Sequence, residues 1–191
     1  ILPELDALKM ELIDVKDGNA GRLHIAIECH ACFEWLFPVL NIFRQSFPNV
    51  DIDIRPGLSF RALPALSEGE VDVVISSDPE RISEVEFHEL FSYAPTFIVS
   101  KENSLSQKSF IEANDLAEET LITYPVERSR LDVFSQFLLP AKVEPKLVRQ
   151  VELTAVILLL VGANKGVSVI PDWVLGSSNL SPDLTALPLT K

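Results

Sequence analysis

Two thiols, a carboxylate and an imidazole fall within five consecutive residues, Glu28-Cys29-His30-Ala31-Cys32. A cysteine thiolate is a nucleophile and a soft metal ligand, an imidazole titrates near neutral pH, and a carboxylate pairs with cations. Three readings are open. The cysteines can be small apolar fillers at a strand end, the usual lot of free cysteine. They can be presented to a small ligand by a loop. They can form a redox or metal centre. Zinc would need a fourth ligand, for which His24, His88 and the carboxylates are the available groups.

A second set of polar residues stands at other element ends. Ser76-Ser77-Asp78 follows an apolar run and suits either a turn or a ligand contact. Tyr93 is a core or ligand-facing aromatic. Tyr124-Pro125-Val126-Glu127-Arg128 follows another apolar run, and Thr154 opens a long apolar helix. Arg128 and Asp132 are spaced for a surface ion pair worth little. His24 reads as a satisfied structural histidine, and His88 as solvent-facing or packing. No Ser-His-Asp order, phosphate loop or dinucleotide glycine motif is present. Gly162 and Gly166 mark a helix end. An enzyme is not expected, and no cofactor is implied.

The elements that must position these groups follow from periodicity. Leu2, Leu5 and Leu12 recur at helical spacing over residues 2–13, and Gly18 ends that segment. Leu23, Ile25 and Ile27 alternate as strand one. Leu36, Leu40, Phe43 and Phe47 line one helix face, with the regular helix expected to begin near Pro38 and to stop at Pro48. Val50, Ile52 and Ile54 alternate as strand two. Ser59 or its predecessor caps a helix carrying Leu63 and Leu66, and residues 71–75 are strand three. Further strands are expected over 85–91, 95–100, 121–124, 146–151 and 166–170. Helices are expected over 115–119, 131–139 and 153–163, with another starting near Trp173.

This order is βαβαβ, two linking strands, then βαβαβ. It predicts an α/β protein of two Rossmann-like lobes joined by two crossing strands, with a cleft between them. The expected division is a helical stub over 1–19, lobe I over 20–97 and 171–191, and lobe II over 98–170. Parallel sheets take ligands at the carboxyl ends of their strands, which puts Glu28–Cys32 and Ser76–Ser77 at the address for function.

The chain has 191 residues, 47% of them hydrophobic, and a formal net charge of −12. The charge argues against these residues gripping a phosphate backbone. The apolar run 155–163 is too short to cross a membrane. The first residues show neither a basic stretch nor an uninterrupted apolar one, and two cysteines make no disulfide framework. A cytoplasmic location is expected.

Several strings resemble the regulatory domain of LysR-type transcriptional regulators. They are Leu36-Phe37-Pro38, Phe43, Phe47-Pro48-x-Val50, Leu66-x-x-Gly69-Glu70-Val71-Asp72 and Gly162-Ala163-x-x-Gly166-Val167-x-Val169-x-Pro171. Glu28-Cys29-His30-x-Cys32-x-x-Trp35 and the run from Tyr124 to Val133 are similar to those of the family's methionine-biosynthesis regulators. The resemblance covers roughly residues 20–185. It implies a fold like the type 2 periplasmic binding proteins and a homocysteine-like small-molecule effector. It implies a homodimer through this domain, and a tetramer when full length. DNA would be bound only by a winged helix-turn-helix region that these residues lack.

On that resemblance the effector's ammonium would meet Glu28 or Glu127. Its carboxylate would meet Ser76, Ser77, Thr154 and Arg128. Its apolar stem and thiol would lie against Tyr93, Tyr124 and Val126, with Cys29 and His30 beside it. The helix of Leu36 to Phe47 has more apolar faces than one core needs, since Phe33, Phe37, Ile42 and Phe43 do not share a stripe. That surplus suits a partner protomer. The rival readings are a free-standing two-lobed solute-binding protein and a thiol redox enzyme using Cys29 and Cys32.

Overall fold

The computed structural model describes residues 20–29, 31–58, 61–77, 82–177 and 181–190, with Lys9, Leu12, Ile13, Val15, Lys16 and Gly18 before them. The helix expected over 2–13 therefore lies largely outside the described residues, as do His30, Ser59 and Asp78. The chain divides into two compact units, residues 1–89 and 90–191.

The first unit runs β1 (Ala20–Ile27), α1 (Phe33–Ser46), β2 (Asn49–Ile54), a 3-10 turn (Pro56–Leu58), α2 (Ala62–Ser67) and β3 (Val73–Ile75). Its three strands are parallel in the order β2-β1-β3, the compact βαβαβ expected from the hydrophobic alternation. On one face of the sheet Ala26 packs with Ala62, Ala65 and Val71, so small side chains let α2 sit close to the strands.

Helix α1 starts at Phe33, five residues earlier than Pro38, which stands inside it. Pro38 is the sixth helical residue and lacks the N–H that would reach the Glu34 carbonyl, one internal bond that the helix does without as it continues to Ser46. Leu36 is buried, and Phe43 stacks on Phe47 at 4.7 Å between ring centres. On the far side Phe37 and Ile42 are 51% and 65% exposed.

Strand β3 is shorter than expected because Asp72 folds back on β1. Its N–H donates to the His24 carbonyl (2.9 Å), and its carboxylate accepts from the His24 amide (2.8 Å). The His24 ring stands 3.3 Å from the same carboxylate and 3.7 Å from Asp53, its cross-strand neighbour, which fits a structural histidine.

The second unit holds β4 (Pro95–Ser100), β5 (Thr120–Thr123), β6 (Leu147–Gln150), β7 (Val167–Pro171) and β8 (Leu184–Pro188) in the order β6-β5-β7-β4-β8. Strands β6, β5 and β7 run parallel, and β4 is antiparallel to both β7 and β8. A π-helical segment, Val133–Leu138, continues into α3 (Leu139–Ala141). Helices α4 (Thr154–Gly162) and α5 (Trp173–Ser177) follow. Phe97, Leu121, Phe134 and Leu138 form the centre of one core. Gly166 has φ +151°, and a Cβ there would stand 2.4 Å from the Thr120 carbonyl, so glycine is required for β7 to approach β5.

Further elements differ from the sequence reading. The stretch 85–94 carries no strand: its residues join no ladder among the described residues. The helix expected over 131–139 is mostly π-helical. Strand β8 has no sequence-derived counterpart. It lies within the stretch 171–191 given to lobe I, and it pairs with β4 in the second unit.

Candidate functional site

Strand order β2-β1-β3 places a reversal of direction between β1 and β3, because the chain leaves β1 toward β2 and then crosses back to β3. A crevice opens outside the carboxyl ends at such a point. Glu28 and Ser76 each follow the last residue of these two strands. The Glu28 amide extends the ladder to Ile75 (2.9 Å), and Ser76 Oγ donates to Glu28 Oε2 at 2.6 Å. The bond fixes the carboxylate across the gap between two parallel strands. Ser77 is exposed beside it.

Cys29 continues the same corner, half-buried, and Cys32 is buried where α1 begins. The Cys32 amide donates to the Cys29 carbonyl (3.2 Å), and the Leu36 amide to the Cys32 carbonyl (3.0 Å), so the loop passes directly into the helix. Both cysteines are free thiols. A hydrogen bond to Cys29 is the foremost cause that pushes the Cys32 thiol well up. Burial and the charge of Cys29 add to it, and Trp35 opposes it. Helix α1 begins at this corner, and the first amides of a helix favour an anion. The corner thus offers a carboxylate for a cation, helix amides and a hydroxyl for an anion, and a sulfur surface between them. Among the described residues no group of three or more metal-ligating side chains is assembled.

The second unit holds its own polar group. Tyr124 OH and Thr154 Oγ1 lie 2.8 Å apart and buried, tying the end of β5 to the start of α4. Tyr93 donates to Asp132 at 2.6 Å and packs edge-on against Trp173. Val126 is half-buried. Arg128 is exposed. It binds Glu144 at 2.8 Å and lies over the Phe134 ring at 4.7 Å, while Asp132, its expected partner, is taken by Tyr93 and Gln136. Two residues here play parts that the sequence reading did not give them: Asp132 was read only as an ion-pair partner of Arg128, and Thr123 was not singled out. Asp132 orients Tyr93 from 39 positions away, a pairing with no local signal. Thr123 ends β5 with a buried hydroxyl that no partner reaches among the described residues. Its place beside Tyr124 at a strand's carboxyl end was the available clue.

Residues 16–191 match the LysR substrate binding domain family. Over 177 residues the chain is 42% identical to the HTH-type transcriptional regulator MetR of Escherichia coli K12, spanning 93% of this chain and 55% of that protein. It is 38% identical to the MetR of Haemophilus influenzae, over 91% of this chain and 56% of that protein. The chain spans about half the length of these curated relatives. The regulatory domain of NMB2055, a MetR of the LysR family from Neisseria meningitidis, superposes with a TM-score of 0.77 at 34% identity. It covers 89% of this chain and 78% of its own. A variant of that domain, with two cysteines three positions apart changed to serine, superposes at 0.75 and 32% identity, covering 89% of this chain and 79% of its own.

Proposed function

This chain belongs to the LysR substrate-binding-domain family, and we propose that it is the effector-sensing part of a cytoplasmic transcriptional regulator of methionine biosynthesis. Its effector is homocysteine or a closely related small amino acid. The relatives' name supports the pathway. The observation that carries the ligand class is the Ser76–Glu28 hydrogen bond at the strand reversal, beside two thiols and a helix start. An amino acid brings an ammonium for Glu28, a carboxylate for Ser77 and the α1 amides, and a sulfur for the Cys29 surface. His30 belongs to the same loop. Tyr93, Tyr124, Val126, Arg128 and Thr154 are the second unit's candidates for contact with the effector.

The domain is a sensor rather than an enzyme, since its named relatives are transcriptional regulators. DNA contact belongs to a winged helix-turn-helix region outside these 191 residues. The effector acts by binding one state of the domain better than another. Protomers pair through the apolar outer side of α1, where Phe37 and Ile42 are exposed. Calorimetric titration with homocysteine, methionine and cysteine, under reductant, tests the reading. Saturable binding of homocysteine is expected, and binding of none of the three would overturn it.

A further inference from the structure

The two thiols of the first unit are unequal. Cys29 is half-buried, whereas Cys32 is 4% exposed. The turn closed by the Cys32 amide on the Cys29 carbonyl holds the residues together, and their side chains hydrogen-bond. That bond and its burial hold the Cys32 proton in place, and Cys29 is the sulfur that a reagent in solvent reaches. The Glu28 carboxylate, fixed by Ser76, is the adjacent residue. A reagent that brings both a disulfide and an ammonium meets a matching nucleophile and counter-charge.

We propose that Cys29 is a covalent modification site for the disulfide form of a low-molecular-weight aminothiol, with Cys32 a sheltered neighbour that resolves the adduct slowly. The proposal rests on the reading of this corner as the amino-acid site. The Cys29 thiolate attacks one sulfur of R–S–S–R. The S–S bond breaks, a Cys29–S–S–R bond forms, and R–S⁻ leaves and takes up the proton that Cys29 released. The small disulfide is the oxidant, and half of it departs reduced. Resolution would need Cys32 to lose its proton, attack the Cys29 sulfur and expel a second R–SH. Burial and the donated hydrogen bond make that the slow step.

The probes are homocystine and the uncharged hydroxyethyl disulfide, followed by intact-mass measurement on the reduced protein. A single persistent homocysteine adduct is expected on the wild type and on both Cys32→Ser and Cys32→Ala. None is expected on Cys29→Ser. Glu28→Gln is expected to slow homocystine roughly tenfold while leaving hydroxyethyl disulfide unchanged. Prompt loss of two hydrogens without an adduct, an adduct at Cys32, or no reaction would each overturn the proposal. Titration with homocysteine under reductant separates the two readings. Reversible binding without an adduct removes only the covalent step, and an adduct without reversible binding removes only the effector reading.

Discussion

Ser76 and Glu28 are 48 residues apart in the chain, and their side chains meet at 2.6 Å across the carboxyl ends of two adjacent parallel strands. A hydroxyl donating to a carboxylate anchors that carboxylate, and the charge it carries is what a cationic group would meet. Glu28→Gln keeps the shape and removes the charge. It is expected to weaken homocysteine binding by about 1.5–3 kcal/mol, the range for a hydrogen bond to a charged group, with the fold unchanged. Ser76→Ala is expected to weaken binding less. Calorimetry on the two variants checks the order.

The thiols should report their difference in exposure directly. Maleimide labelling of the native protein is expected to modify Cys29 first and Cys32 only after unfolding, because Cys32 is buried and its thiol is pushed up. Peptide mapping of the labelled protein reads the order. Equal labelling rates would contradict the placement of Cys32.

Gly166 has no room for a side chain. Gly166→Ala adds a Cβ at 2.4 Å from a backbone carbonyl in a backbone region that alanine rarely adopts. The backbone strain alone costs about 1–3 kcal/mol, and the clash adds to it. Urea unfolding is expected to show a lower midpoint with an unchanged slope.

The exposed side of α1 should govern association. Ile42→Glu, at a position 65% exposed, is expected to leave the monomer folded and abolish dimers. Light scattering after size exclusion reads the outcome. A wild type that stays monomeric at high concentration would remove this surface from the account.

Lys108 grips both oxygens of Asp115 at 2.6 and 2.7 Å, and Asp115 also caps the Glu112 amide. Burial alone would raise the Asp115 pKa, but the Lys108 hydrogen bond, the Glu112 amide and the Lys108 charge outweigh it and hold it below the ordinary value. The folded value is depressed, so the stabilisation is present above the unfolded pKa of about 3.9 and is lost as pH falls through the folded value. Asp115→Asn is expected to be less stable than wild type near neutral pH and equal to it in strong acid. Urea midpoints across the acid range check this.

The first unit was legible in the sequence because its first two strands alternate, its third is a short apolar run, and each helix has its own stop, as at Pro48 and Gly69. The address at Glu28 and Ser76 followed from that pattern alone. Their hydrogen bond did not, since no local spacing encodes a contact over 48 residues. The run 85–91 shows why alternation is insufficient: Val85, Phe87 and Phe91 read as a strand, yet no neighbour offers a ladder. Strand β8 escaped notice for the opposite reason. Leu184-Thr185-Ala186-Leu187-Pro188 ends in proline and has weak alternation, and its pairing with β4 supplies what propensity does not. Arg128 was drawn toward Asp132 by helical spacing, but Tyr93 occupies that carboxylate and Glu144 receives the guanidinium.

Strand β8 runs antiparallel beside β4, with Pro188 opposite Thr96. The strand that opens the second unit and the strand that closes it therefore share one end, about 5 Å apart across the ladder. The polypeptide leaves this unit where it entered. Residues 90–190 accordingly form a cassette. A short turn joining Pro188 back to Pro95, with new ends opened in an exposed loop of the same unit, is expected to keep the sheet order.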